Sequence, residues 1–158
     1  MANTNSTQHA QLAAQNGEMT MLWATREIAA KQAAGDTITM FTIPAGCTVH
    51  GGWLRGDEID AHASAKELQF DVGDASSTTR FLNGGVASGV AVTGTKPETG
   101  IAVPLFGTLK DGPYTYTTAT DILVETEDDA ATTGTGTISL WMKVTGFDVR
   151  VSPPNKGL

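Results

Sequence analysis

Cysteine is nearly absent from this chain, since Cys47 is the only one among 158 residues. A single thiol cannot form an internal disulfide, so nothing indicates a small secreted domain held by cross-links. It also excludes a zinc site made of paired cysteines. Cys47 directly follows the turn at 44–46, and we expect it to be a small buried hydrophobic residue.

Basic residues are scarce, because 10 lysines and arginines stand against 17 aspartates and glutamates, with a net charge of -7. Nucleic-acid binding normally needs clustered Lys and Arg to neutralise phosphates, and the sequence shows no such cluster. There is no signal-peptide pattern and no stretch near the roughly 20 apolar residues of a transmembrane helix. We expect neither nucleic acid nor a membrane as partner, and synthesis in a cytosol.

Side chains suited to catalysis are few. The histidines are His9, His50 and His62, and no serine or cysteine stands in a nucleophile-elbow pattern. The glycine-rich stretch at 84–89 lacks the lysine of a phosphate-binding loop. We therefore expect no enzyme activity and no cofactor.

Two acidic clusters are the candidates for a metal site. The first places Asp57, Asp60 and His62 within six residues, and carboxylates with an imidazole can ligate a metal. It lacks the ligand spacing and turn glycine of a calcium loop, so a solvated loop is the favoured interpretation. The second contains Glu125, Glu127, Asp128 and Asp129, for which plain surface charge is favoured.

Threonine and glycine are abundant where the proportion of charged residues is low, at 17%. Threonine favours strands and glycine favours turns, so together they predict short strands joined by turns. The strand-like segments are Thr20–Ile28, 36–43, 47–54, 66–72, 78–82, 121–127 and 137–145, with weaker ones at 86–92, 101–106 and 114–117. The first of these could instead be a helix running on to Gly35. Many short strands with regular turns predict an all-β fold, an antiparallel sandwich or jelly roll.

Local patterns refine this prediction. Residues 137–145 alternate most clearly, with Ile138, Leu140, Met142 and Val144 on one face and Ser139, Trp141, Lys143 and Thr145 on the other. Residues 66–72 alternate similarly, which would leave Asp71 on a solvent face. The paired glycines at 51–52 indicate a bulge or close backbone approach.

Three acidic positions have ordinary interpretations. Asp71 and Asp74 flank Gly73 and are expected to form a turn. The tripeptide at 55–57 spells a cell-adhesion motif, but a turn after a strand is preferred because three residues recur by chance.

Residues 1–19 form a polar segment in which Leu12 is the sole large aliphatic. Such a segment cannot bury enough apolar surface to offset the entropy of ordering it, so we expect something outside it to hold it. The predicted organisation is an extended N-terminal arm at 1–19, a β-sandwich domain at 20–152 and a tail at 153–158.

Three segments resemble small structural proteins of tailed bacteriophage particles: AAGDTITMFTIPAG (33–46), LQFDVGDASSTTRFLNG (68–84) and TDILVETEDDAATTGTGTISLWMKVTGFD (120–148). In that group of proteins one strand ends in a Pro-Ala-Gly turn, and a VGD turn leads into a short RFL-like strand. A Thr/Gly-rich loop then precedes a long final strand. The resemblance covers most of the domain and none of the arm. It implies a capsid decoration (cement) protein on the outer capsid surface, often a trimer, with the major capsid protein as partner and no catalytic role.

The arm and one tryptophan are the candidate partner-binding elements. The arm's amides can donate and accept hydrogen bonds, and its backbone could add to a sheet edge. The residues are Asn3, Asn5, Gln8, Gln11, Leu12, Gln15, Asn16 and Trp141. Two alternatives stay open: a receptor- or glycan-binding module, in which Trp53 or Trp141 would stack on sugars, and a tail or neck subunit.

Overall fold

A computed structural model of the chain describes residues 6–11, 19–28, 33–57, 69–83, 102–105, 113–128 and 136–146. Within these ranges the regular elements are strands: β1 (Ser6–Gln11), β2 (Thr20–Ile28), β3 (Thr37–Ile43), β4 (Thr48–Asp57), β5 (Gln69–Asp74), β6 (Ser77–Leu82), β7 (Ala102–Pro104), β8 (Tyr114–Thr115), β9 (Thr120–Asp128) and β10 (Gly136–Thr145). Across the same ranges, no helix has the length and apolar character needed to cross a membrane.

The strands form two antiparallel sheets. Sheet A has the order β1-β2-β10-β4-β7, with β8 also pairing with β4, and sheet B has the order β3-β9-β5-β6. Buried apolar side chains from both sheets join into one core. The predicted antiparallel β-sandwich is thereby confirmed, and β2 is a strand throughout Thr20–Ile28. The jelly-roll connectivity stays a prediction, because the connections at 58–68, 84–101 and 129–135 lie outside the described residues.

The core follows from the alternation of β10. Ile138, Leu140, Met142 and Val144 are all fully buried, as their period of two predicts. Each such side chain contributes about 2 kcal/mol of hydrophobic free energy when it leaves water. Cys47 is also fully buried and free, as expected from its sequence context.

β1 adds to sheet A at its edge, in register from Ser6 opposite Arg26 to Gln11 opposite Met21. A part of the predicted arm is thus paired with β2 of its own chain, a partner that composition alone does not reveal. The reason is that strand pairing uses backbone groups and does not need apolar side chains. The boundary of the arm at residue 19 stays a prediction.

Arg26 ties the two sheets together. From β2 it donates through Nε to the carbonyl of Thr39 at 2.9 Å and through Nη2 to that of Met40 at 2.5 Å. Met40 is the extra residue of a bulge in β3, where the register against β9 shifts between Thr39 and Phe41. The guanidinium therefore bonds two backbone carbonyls at the bulge and connects β2 of sheet A with β3 of sheet B.

The predicted irregularity at the paired glycines is confirmed. The register between β10 and β4 shifts between Lys143 and Val144, so that His50 has no opposite residue. Gly51 lies at φ 143° in the left-handed half of the map, which favours glycine. A Cβ on Gly52 would clash with the carbonyl of Trp141.

Expectations for two places in the chain are wrong. The tripeptide at 55–57 is not a turn, because β4 continues to Asp57 and pairs with β10 over these residues. Asp71 is neither solvent-exposed nor part of a turn, since only 6% of it is exposed and it lies within β5. β5 is an inner strand of sheet B between β9 and β6, and there Asp71 pairs in register with Glu125 of β9.

The close approach at Gly52 gives the first prediction. Gly52→Ala should lower the free energy of unfolding by about 3 kcal/mol, because the new methyl group must displace backbone of β10. Gly35→Ala is the control, because a Cβ at Gly35 would meet open space. Its positive φ of 86° is the only source of strain, and it should lower the free energy of unfolding by about 1 kcal/mol. Urea unfolding of both variants measures this, and equal midpoints would contradict the close approach.

Candidate functional site

All three tryptophans of the chain lie in one row across sheet A. Trp141 on β10 is the register partner of Trp23 on β2 and of Trp53 on β4. The row continues in register to His9 on β1 and to Pro104 on β7. We call Trp23, Trp141 and Trp53 the tryptophan row. Two strand spacings separate its ends, a width of about 10 Å.

The tryptophan row lies on the face of sheet A that points away from the core. Along β10 the inward residues Leu140 and Met142 alternate with outward Trp141, and along β2 Leu22 and Ala24 enclose outward Trp23. Trp23 and Trp141 are half-buried, while Trp53 is 36% exposed. The core therefore does not require indole rings at these positions, which suggests another reason for them.

Polar rows flank the tryptophans on the same outer face. On one side Thr25, Ser139 and Arg55 share a register row, and the hydroxyls of Thr25 and Ser139 lie 2.8 Å apart. On the other side Lys143 places its Nζ 4.8 Å from the ring centroid of Trp53. This cation–π contact covers part of one indole face and gives the row a positive border.

A second polar cluster is centred on the buried side chain of Asp74. Asp74, at the end of β5, accepts hydrogen bonds from Arg80 Nε at 2.6 Å and from the Tyr116 hydroxyl at 2.7 Å. Its other oxygen accepts from the backbone N–H groups of Ser76 at 2.9 Å and Ser77 at 3.1 Å. Asp74 is thus the turn former that the sequence predicted. We call Asp74, Ser76, Arg80 and Tyr116 the Asp74 cluster.

The Asp74 cluster links parts of both sheets. Tyr116 follows β8, which pairs with β4 of sheet A, and it exchanges backbone hydrogen bonds with Gly46 and Cys47 before β4. Arg80 stacks 4.0 Å above the ring of Tyr114. Asp74 and Arg80 belong to the β5–β6 hairpin of sheet B, so the cluster fastens that hairpin to sheet A.

The electrostatics of the Asp74 cluster are those of a closed structural network. Burial alone would raise the pKa of Asp74, but hydrogen bonds from Arg80, Ser76 and Tyr116 outweigh burial and hold it far below its usual range. Burial, and then the bond to Asp74, raise the pKa of Tyr116. Since Asp74 is 1% exposed and fully engaged, the cluster stabilises the fold and offers no free acid or base.

The structure places only some of the predicted site residues. Gln8 and Gln11 lie on β1 opposite Ala24 and Met21, and Trp141 lies at the centre of the tryptophan row. Asp57 ends β4. The rest of the candidates lie outside the described residues: Asn3, Asn5, Leu12, Gln15, Asn16, Asp60 and His62.

The metal prediction therefore stays open. Within the described ranges, no three His, Cys, Asp or Glu side chains come together in a way that could hold a metal ion. Glu125 of the second acidic cluster lies on β9, where it faces outward from sheet B.

Sequence reasoning named Trp141, and Trp53 for a glycan-binding module, but missed Trp23 and the row that the three residues form. Part of the signal was present, because Trp141 falls on the polar side of an alternating strand. The register of the three tryptophans could not be read from the sequence, since the three strands are far apart along the chain.

Comparison with known proteins adds to this geometry. The sequence matches no protein-family model and none of the curated proteins. A solved chain of the cyanophage Pam1 capsid asymmetric unit is similar, with 25% identity and a TM-score of 0.67, over 92% of this chain and 99% of that chain. A chain of the capsid of Ralstonia phage GP4 has 17% identity and a TM-score of 0.61, over 87% and 90% of the two chains. The fold is thus one that occurs in phage capsids.

The Asp74 cluster gives the second prediction. Asp74→Asn should lower the free energy of unfolding by about 3 kcal/mol at neutral pH, because it removes the buried carboxylate that the half-buried guanidinium of Arg80 and the hydroxyl of Tyr116 bond. The folded-state pKa of Asp74 lies below its unfolded value of about 3.9, so its contribution is complete above that pH and is lost as the pH falls further. Urea unfolding should show the gap between wild type and variant shrinking below about pH 4.

The control for this variant is Asp121→Asn. Asp121 is exposed and bonds only the exposed hydroxyl of Thr42 among the described contacts, so its loss should cost under about 0.5 kcal/mol. A gap between wild type and Asp74→Asn that does not change with pH would show that folding does not lower the pKa of Asp74, and would contradict the network described here.

Proposed function

We propose that this chain is a bacteriophage virion structural protein with no catalytic role. The observation that carries the proposal is the match to a cyanophage Pam1 capsid chain, since it combines 25% identity with coverage of nearly the whole of both chains. The sequence resemblance to phage structural proteins points the same way. The Asp74 cluster supports a structural role, because its ionised groups bond one another and thereby stabilise the fold.

Within the virion, we propose that the chain is a capsid decoration protein on the outer surface, with the major capsid protein as partner. The tryptophan row supports this role, because protein interfaces place Trp at a buried centre within a rim of polar residues. The rows of Thr25, Ser139 and Arg55 on one side and Lys143 on the other supply such a rim. The arm at 1–19 and the proposed homotrimer would add further contacts.

The distribution of charge supports one orientation. The outer face of sheet A carries Lys143 and Arg55 beside the tryptophan row, with the exposed Glu27 further along β2, whereas that of sheet B carries the acidic side chains Asp121 and Glu125. In a chain with a net charge of -7, an acidic face suits solvent and a mixed aromatic and cationic face suits a partner. We therefore orient sheet A toward the capsid.

Attachment to capsids tests this proposal. Trp53→Ala should weaken binding to purified capsids that lack the chain by roughly 30-fold, as expected for an interface hot spot worth about 2 kcal/mol. Because Trp53 is the most exposed of the three tryptophans, its truncation should leave the folded core intact. Co-sedimentation with capsids measures the affinity, and thermal unfolding verifies that the variant is folded.

Leu123→Ala is the matched control, since Leu123 is a half-buried apolar residue on the outer face of sheet B. It should bind capsids like the wild type. Equal weakening by both variants would contradict sheet A as the attachment face. Binding of the wild type to purified tails and not to capsids would favour a tail or neck subunit.

The tryptophan row also favours one other function, a receptor- or glycan-binding module. Indole rings can pack on the apolar faces of sugars, and hydroxyls and cations beside the row could bond to sugar hydroxyls. This function predicts that the free protein binds host-surface glycans and that Trp53→Ala removes the binding. Capsid attachment unaffected by Trp53→Ala, together with lost glycan binding, would support it over decoration.

A further inference from the structure

β1 occupies its place on sheet A through backbone pairing. Its sequence STQHAQ has Ala10 as the sole apolar residue, yet it pairs with β2 along six consecutive positions. Strand pairing is made by main-chain hydrogen bonds in a fixed register, which any sequence able to form a strand can supply. A strand held in this way can occupy the same place on any identical copy of β2.

The connection between β1 and β2 is long for a hairpin. Residues 12–19 separate the two strands, whereas tight antiparallel hairpins need only 2–5 residues. In the closed form this connection bridges one strand spacing of about 4.8 Å. Eight extended residues reach about 27 Å, which is far enough to carry β1 onto a neighbouring copy.

β2 is a strand that needs a neighbour. It is nine residues long, pairs on its other side with β10 and carries Trp23 of the tryptophan row. Left unpaired, a long strand of this kind is a template for uncontrolled pairing with other chains. β1 occupies the position beside β2, and the same register is open to a β1 strand from a second copy.

We propose that β1 is exchanged between copies of this chain, so that Ser6–Gln11 of one copy pairs with Thr20–Ile28 of the next in the register seen here. The exchange makes the tryptophan row a composite site, because His9 of one copy then stands in register with Trp23 of another. The closed and exchanged forms contain the same pairing, so they differ in free energy chiefly through the connection and the local concentration of copies. The exchange rests on the proposed homo-oligomer and does not require attachment to a capsid.

Single-cysteine variants test the exchange directly. Thr7 and Thr25 are opposite in the register, and opposite Cα atoms in antiparallel pairs lie about 4.5–5.5 Å apart, within the range of a disulfide. The full-length variants Thr7→Cys and Thr25→Cys are unfolded together, refolded as an equal mixture and oxidised. Neither can close this disulfide within one chain, and the native Cys47 is fully buried.

The exchange predicts a disulfide-linked heterodimer of the two variants as the major cross-linked product. The control mixture of Thr7→Cys with Thr118→Cys, an exposed residue outside the register, should give no such product. The double variant Thr7→Cys/Thr25→Cys should form covalent oligomers. Disulfides confined to single chains in the double variant, with no heterodimer from the mixture, would overturn the exchange.

Sedimentation of the wild type distinguishes failure of the β1 exchange from failure of the proposed homo-oligomer. An oligomer that forms without the mixed disulfide would leave the proposed assembly standing and reject the exchange. A monomer at every concentration would reject both the exchange and the homo-oligomer, while capsid binding is measured independently.

Discussion

The pairing of β10 with β2 on one side and β4 on the other is the constraint on which the rest of sheet A depends. Because side chains alternate along a strand, one register sets both faces at once. It buries Leu140 and Met142 in the core and aligns Trp141 with Trp23 and Trp53 on the outside. A slip of one residue would expose the core residues and bury the tryptophans, so the fold and the candidate surface are fixed by the same hydrogen bonds.

The two sheets are held together by more than apolar contact. Arg26 reaches from β2 to the bulge of β3, and the Asp74 cluster fastens the β5–β6 hairpin to Tyr116 beside β4. The second link joins the buried carboxylate of Asp74 to Arg80 and Tyr116, so breaking it costs more than the loss of one exposed pair.

Local patterns predicted a large share of this structure. The alternation of β10, the turn after β3, the buried Cys47 and the irregularity at Gly51 all depend on neighbours along the chain. Contacts between distant segments could not be predicted in this way. Trp23, Trp53 and Trp141 form a row only because their strands pair. Tyr116 bonds Asp74 although the two residues are 42 positions apart in the chain. β1 pairs with β2 through backbone groups, which do not distinguish one sequence from another. For the same reason the continuation of β4 through Arg55 was missed, since β10 supplies its partner.

In the function proposed here, the outer face of sheet A with its tryptophan row contacts another protein of the virion. A cryo-electron microscopy map of the intact virion at side-chain resolution would show this contact. We expect density for this fold on the outer capsid surface, with the tryptophan row buried against another protein chain. A capsid without this fold, or a fold whose tryptophan row faces solvent, would contradict it.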